Sequence, residues 1–154
     1  MRPWTAVATA LALVLLGCHP KPAGFSPQDE TAVKAVAESA ASYLREGKLE
    51  AWADLFSDDA VLHPPNGPAI KGRPALLAWI KSVPKMNDAA FTDVQVRGVG
   101  DLAYGTSGFW LDQQGMPADT GKQLWVSRRS PSGKWEVAIV SFNSDLPPPG
   151  RPRR

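Results

Sequence analysis

Pro84 divides the chain into two kinds of apolar periodicity, and that division restricts the folds open to it. Before Pro84, Val33, Val36, Ala37, Ala40 and Leu44 recur at helical spacing. Leu49, Trp52, Leu55 and Phe56 repeat the pattern, as do Leu76, Trp79, Ile80 and Val83. Ser26-Pro27-Gln28-Asp29 starts the first helix with a capping hydroxyl, a proline at the first position and an acid in the first turn, and Gly47 ends it. Ser57-Asp58-Asp59 closes the second, the aspartates capping it and bonding the turn that follows. Gly72-Arg73-Pro74 opens the third, which Pro84 stops. Between the second and third, residues 60–63 and 69–71 flank the turn Pro64-Pro65-Asn66-Gly67-Pro68 as a short hairpin. After Pro84, residues 91–99, 102–112, 120–129 and 134–143 are rich in β-branched and aromatic side chains. Gly100-Asp101, Gln113-Gln114-Gly115 and Ser130-Pro131-Ser132-Gly133 separate them as hairpin turns. Helices followed by closely spaced strands give an α+β domain with an antiparallel sheet.

Cys18 is the only cysteine, so the domain holds together without an internal disulfide. It closes an apolar run, residues 6–16, that follows Arg2. The run is too short to span a bilayer, which takes about 20 residues, and suits the centre of a secretory signal. Leu15-Leu16-Gly17-Cys18 resembles the lipobox of bacterial lipoproteins, whose cysteine is lipidated and becomes the N-terminus; Leu16 is bulkier than that motif usually carries. An ordinary cleaved signal with an incidental thiol is the alternative. The expected organisation is a signal peptide at 1–17, a tether at 18–25 with Pro20, Pro22 and Gly24, a domain at 26–146 and a disordered Pro/Arg tail at 147–154. Lipid on Cys18 would anchor the chain to the cell envelope. His19 in place of aspartate favours the periplasmic side of the outer membrane over the inner membrane.

The formal charge of +2 misdescribes the domain. Arg2, Lys21, Arg151, Arg153 and Arg154 lie outside it, which leaves 12 basic residues against all 15 acidic ones. A domain of negative balance does not present the basic stripe that nucleic acid requires.

The stretch Gly47-Lys48-Leu49-Glu50-Ala51-Trp52 runs into Leu55-Phe56-Ser57-Asp58-Asp59-Ala60-Val61-Leu62, followed by a proline-rich turn and Ile70-Lys71-Gly72-Arg73. Together with the hairpin from Leu124-Trp125-Val126-Ser127 to Lys134-Trp135-Glu136-Val137, this order resembles the nuclear transport factor 2-like superfamily. The likeness is to its SnoaL-like and ketosteroid-isomerase-like branches and covers about residues 29–143. It implies a cone: a curved antiparallel sheet wrapped around three N-terminal helices, the cystatin-like roll, with a pocket at the wide end. The superfamily includes isomerases, cyclases, dehydratases and proteins without chemistry. The isomerase branch needs a carboxylate base, a tyrosine and a buried protonated acid. The resemblance places these at Pro64, Ala40 and Trp125, none of which can do the work.

His63, beside the base position, is the one imidazole in the folded domain. Strand alternation turns it away if Pro64 faces the pocket. Asp58 and Asp59 are adjacent and point apart. No histidine or cysteine cluster and no acidic loop has metal-ligand spacing, and no cofactor is read. Gly105-Thr106-Ser107-Gly108 lacks the strand-to-helix elbow of a hydrolase nucleophile.

Alternation from Trp125 puts Gln123 and Ser127 on its face of the sheet, and the resemblance adds Val140 and Phe142. Ser107, Phe109 and Leu111 join them, while Leu44, Phe56, Leu62 and Ile80 close the wall from the helix side. This is an aromatic, mostly apolar lining with a few hydroxyl and amide groups, suited to a small apolar ligand. For Trp125 and Phe109 a solid core is the competing reading; Trp52, Trp79 and Trp135 are core or interface residues. Leu124, Val126, Trp135, Val137 and Ile139 would give the convex face the apolar area for a homodimer. Two functions stay open: a lipid-anchored module that binds a small apolar molecule or a partner peptide, or an isomerase, dehydratase or hydrolase using His63 or an aspartate as base.

Overall fold

A computed structural model describes residues 24–147. The signal peptide, Cys18, most of the tether and the tail from Pro148 onward lie outside the described residues. Three helices, α1 (Pro27–Glu46), α2 (Leu49–Ala53) and α3 (Arg73–Ser82), pack against six strands. These are β1 (Phe56–His63), β2 (Ile70–Lys71), β3 (Met86–Val99), β4 (Leu102–Gln113), β5 (Asp119–Arg129) and β6 (Trp135–Ser144). The curved sheet has the order β2-β1-β6-β5-β4-β3.

The start of α1 is a capping box: the Ser26 hydroxyl accepts from the Asp29 amide at 3.2 Å, and the Asp29 carboxylate accepts from the Ser26 amide at 3.0 Å. Gly47 ends the helix in the left-handed region, at φ 67°. Val33, Ala37, Ala41 and Leu44 form its buried face. Both ends of α1 are pinned to the sheet. Arg45 Nη1 donates to the Ala89 carbonyl of β3 at 2.6 Å. At the other end Arg129 Nη2 donates to Asp29 at 2.6 Å, and its guanidinium lies 4.5 Å over the Trp135 ring. Phe25 packs edge-on against Trp135, with centroids 5.8 Å apart, and over Gly98. Phe25, the last residue of the expected tether, packs its ring onto the domain.

Four expectations need correction. The sheet is antiparallel at every junction except β1–β6, which is parallel. These strands are distant in sequence, so a long connection can bring them together in either sense. That pairing also shortens the second helix. Val137 donates to the Leu55 carbonyl at 2.9 Å and Phe56 pairs with Val137, so the chain is already extended where Ser57, Asp58 and Asp59 were expected as a cap. A register shift between Phe56 and Val61 leaves both aspartates exposed. β3 starts at Met86, earlier than its side chains suggest, because β4 supplies partners out to Gln113. Finally, Trp135 and Val137 are buried, not on the outer face. Val126 pairs with Ile139 but Ser127 pairs with Val137, so Ala138 is a bulge that breaks the alternation. Leu124 and Ile139 remain outward and exposed.

Asp29 accepts from Ser26, Arg129 and Trp135, and its carboxyl is held far below its ordinary value of 3.8, chiefly by the Ser26 amide and then by Arg129. A carboxyl depressed in the folded state adds stability above its unfolded pKa, and that stability is lost as pH falls toward the folded one. Asp29→Asn is expected to lower the urea midpoint at neutral pH and to flatten the fall in stability below about pH 4. Urea titrations of both proteins from pH 7 downward check this.

Candidate functional site

Between the concave face of the sheet and the helices lies a cavity of about 110 Å³. Its deep wall consists of buried residues: Phe56 and Leu62 on β1, Ile80 on α3, Trp125 on β5, and Val137 and Val140 on β6. Trp79, Leu111 and Phe142 are half-buried and rim the open end. Phe142 meets Phe109 edge-on at 5.9 Å and Trp79 at 6.4 Å, which ties α3 to the end of the sheet away from Phe25. Leu44 and Ala40 supply the α1 side.

Trp125 sits deep because its cross-strand partner is Gly105. A β-carbon at Gly105 would run into the indole, so the absent side chain lets the ring lie against the sheet. Phe109 and Gly121 repeat the arrangement two inward-facing pairs nearer the rim, beyond Ser107 and Gln123. The ring therefore lines the cavity and fills only part of the concave side.

The polar contribution is small. Gln123 is the one polar residue in the lining, and its Nε2 donates to Ser107 Oγ at 2.9 Å. Ser107 faces inward but sits behind this bond, outside the lining. Ser127 is fully buried nearer the narrow end, its hydroxyl without a hydrogen-bond partner, and it too lies outside the lining. The other ten expected wall residues, Leu44, Phe56, Leu62, Ile80, Phe109, Leu111, Gln123, Trp125, Val140 and Phe142, do meet at the cavity. Sequence reasoning missed Val137, through the Ala138 bulge, and Met86, through the early start of β3; Phe91 and, from the helices and the segment after them, Val36, Ala37, Ala40, Trp52, Leu55 and Trp79 line the cavity too. The in-strand glycines Gly105 and Gly121 were the available signal for seated aromatic rings.

The candidate bases stand elsewhere. His63 is exposed on β1, next to the inward-facing Leu62. Asp58 pairs with Arg73 at 3.1 Å. Asp59 accepts from Arg128 and from Ser57 Oγ, and those partners, Arg128 first, hold its carboxyl below the usual range. Of the isomerase positions, Ala40 and Trp125 line the cavity and Pro64 does not. Among the described residues no three His, Cys, Asp or Glu side chains gather to hold a metal ion.

Gly105→Ala is expected to push the indole toward the cavity and to cost about 1–3 kcal/mol as an overpacking change. Combining it with Trp125→Leu should recover part of that loss, because the two sites share one contact. Urea unfolding of the two single variants and the double variant measures the coupling.

The SnoaL-like domain model matches residues 36–142 of the chain. No curated protein matches it in sequence. Several solved structures share its fold. A nuclear transport factor 2-like protein with a cystatin-like fold from Novosphingobium aromaticivorans superposes with a TM-score of 0.67 at 18% identity, over 75% of this chain and 80% of that one. A ketosteroid isomerase-like protein from Erwinia carotovora atroseptica gives a TM-score of 0.67 at 21% identity, over 79% of this chain and all of the other. A protein of unknown function with a cystatin-like fold from Nostoc punctiforme gives 0.70 at 16% identity, over 80% and 96%.

Proposed function

The chain belongs to the SnoaL-like domain family, and from that premise we propose that it is a lipid-anchored protein of the cell envelope whose domain holds a small uncharged molecule without transforming it. The observation that carries this reading is a cavity lined by apolar side chains and one amide, with no ionisable group. General acid–base catalysis needs a titratable group within about 2.6–3.2 Å of the proton it moves. His63 is exposed, and Asp58 and Asp59 are engaged by arginines outside the cavity. An unpaired charge inside would carry a heavy desolvation cost, so the lining favours neutral molecules.

The anchor rests on Gly17-Cys18 closing the apolar run. The fold accommodates it: Phe25 enters at the Trp135 end, away from the rim of Trp79, Leu111 and Phe142. A domain tethered there keeps its mouth clear of the membrane. The outer face, with Leu102, Tyr104, Leu124 and Ile139 exposed, supports pairing with a second copy.

Native mass spectrometry of the protein extracted from its host membrane tests the reading. The expected spectrum contains chains that begin at a lipid-modified Cys18, as a dimer, and a small neutral molecule recovered unchanged after incubation. An unmodified chain overturns the anchor, and a monomer overturns the pairing. Conversion of the bound molecule overturns the non-catalytic role. Protein that carries no molecule and takes none from an envelope extract overturns the binding role.

A further inference from the structure

The chemistry of the cavity narrows its occupant further. Gln123 stands on β5 directly opposite Ser107 on β4 and Phe142 on β6. One of the two N–H groups of its amide donates to Ser107 Oγ at 2.9 Å. That bond fixes the orientation of the amide and leaves Oε1 as the acceptor available at the cavity wall. The groups around it, Phe109, Phe142 and Leu111, offer rings and alkyl surface, and the indole N–H of Trp125 is the one further polar group beside them. Size is equally restrictive. At about 110 Å³ the space is smaller than the roughly 150 Å³ of a dry cavity that accepts benzene, although the half-buried rim leaves it open on one side. It falls well short of the roughly 300–1,000 Å³ of sites for drug-sized molecules.

We infer that the occupant is a neutral molecule of about one aromatic ring carrying a single hydrogen-bond donor, a phenol in its simplest form, and that Gln123 Oε1 is the group that selects it. This rests on the cavity being a binding site. A phenolic hydroxyl, with a pKa of about 10, stays protonated at neutral pH and brings no charge into the apolar space. Once bound, its proton meets Oε1 while the ring packs among Phe109, Phe142 and Trp125. A hydrocarbon of the same size gains the packing alone. A carboxylate meets no cation in the lining to offset the loss of its hydration.

The test titrates phenol, toluene and benzoate into the full chain carrying Cys18→Ser, following the Trp125 indole N–H signal by NMR. The same titrations are run on Gln123→Leu and, as a second variant of similar length, on Gln123→Met. Phenol and toluene are expected to bind the unaltered cavity and benzoate not to bind. Removing the amide should weaken phenol at least about fivefold, the consequence of burying an unpaired hydroxyl, and should change toluene by less than about twofold. Retained toluene binding shows at the same time that the variant has kept its cavity. Toluene binding with phenol affinity unchanged in both variants overturns the role of Gln123 and leaves the apolar site standing. Benzoate binding as tightly as phenol overturns the selection for neutral molecules. Failure of both phenol and toluene to bind the unaltered cavity overturns this inference together with the binding role beneath it.

Discussion

The indole of Trp125 lies across the backbone of Gly105, in the space that a side chain at that position would have taken. Much of the domain is arranged around that contact. A large ring seated deep in a curved sheet fills the lower part of the concave side, and Phe109 over Gly121 does the same nearer the rim. The helices then have less space to close. α1 presents mainly small residues, Ala37, Ala40 and Ala41, because longer side chains there would meet rings already in place. The remaining volume is what the aromatic side chains and the helix leave between them, so changes at Gly105, Trp125 or Ala40 act on one shared space.

Charge is separated from that space. Asp29, Asp58 and Asp59 each meet an arginine at the surface or at the narrow end, where water or a guanidinium satisfies the carboxylate. These pairs position elements. Arg129 fastens the start of α1 to β5, and Arg73 ties the start of α3 to β1 through the Phe56 carbonyl, at 2.7 and 3.0 Å. At the wide end Trp79 meets Phe142 and Phe142 meets Phe109, while Lys122 pairs with Asp145 at 2.6 Å on the sheet beside them. At both ends the ion pairs are made outside the cavity, whose lining holds no ionisable side chain.

Local chemistry made much of this legible in the sequence. Ser26, Pro27 and Asp29 announce the first helix, Gly47 ends it, and the turn residues after Pro84 separate four strands close to their observed limits except at the start of β3. Alternation along β5 placed Gln123 and Trp125 together on the concave side. What escaped was non-local. The parallel pairing of β1 with β6 converts Ser57, Asp58 and Asp59 from an expected cap into strand, and no residue nearby in sequence signals it. The single extra residue at Ala138 turns Trp135 and Val137 inward, because a shift of one position exchanges the two faces of a strand. Strand direction alone puts Ser107 and Ser127 on the wall. One is occupied by Gln123 and the other lies below the floor, and neither outcome follows from alternation.

The central claim is that a dry apolar space remains beneath the rim, bounded by Trp125, Leu62 and Val140. Crystals of the protein pressurised with xenon test it most directly, since xenon enters apolar cavities that water leaves empty. The account predicts a single strong xenon site against the Trp125 indole and the Val140 side chain. Well-ordered water at that position, or side chains packed across it with no xenon, would contradict it.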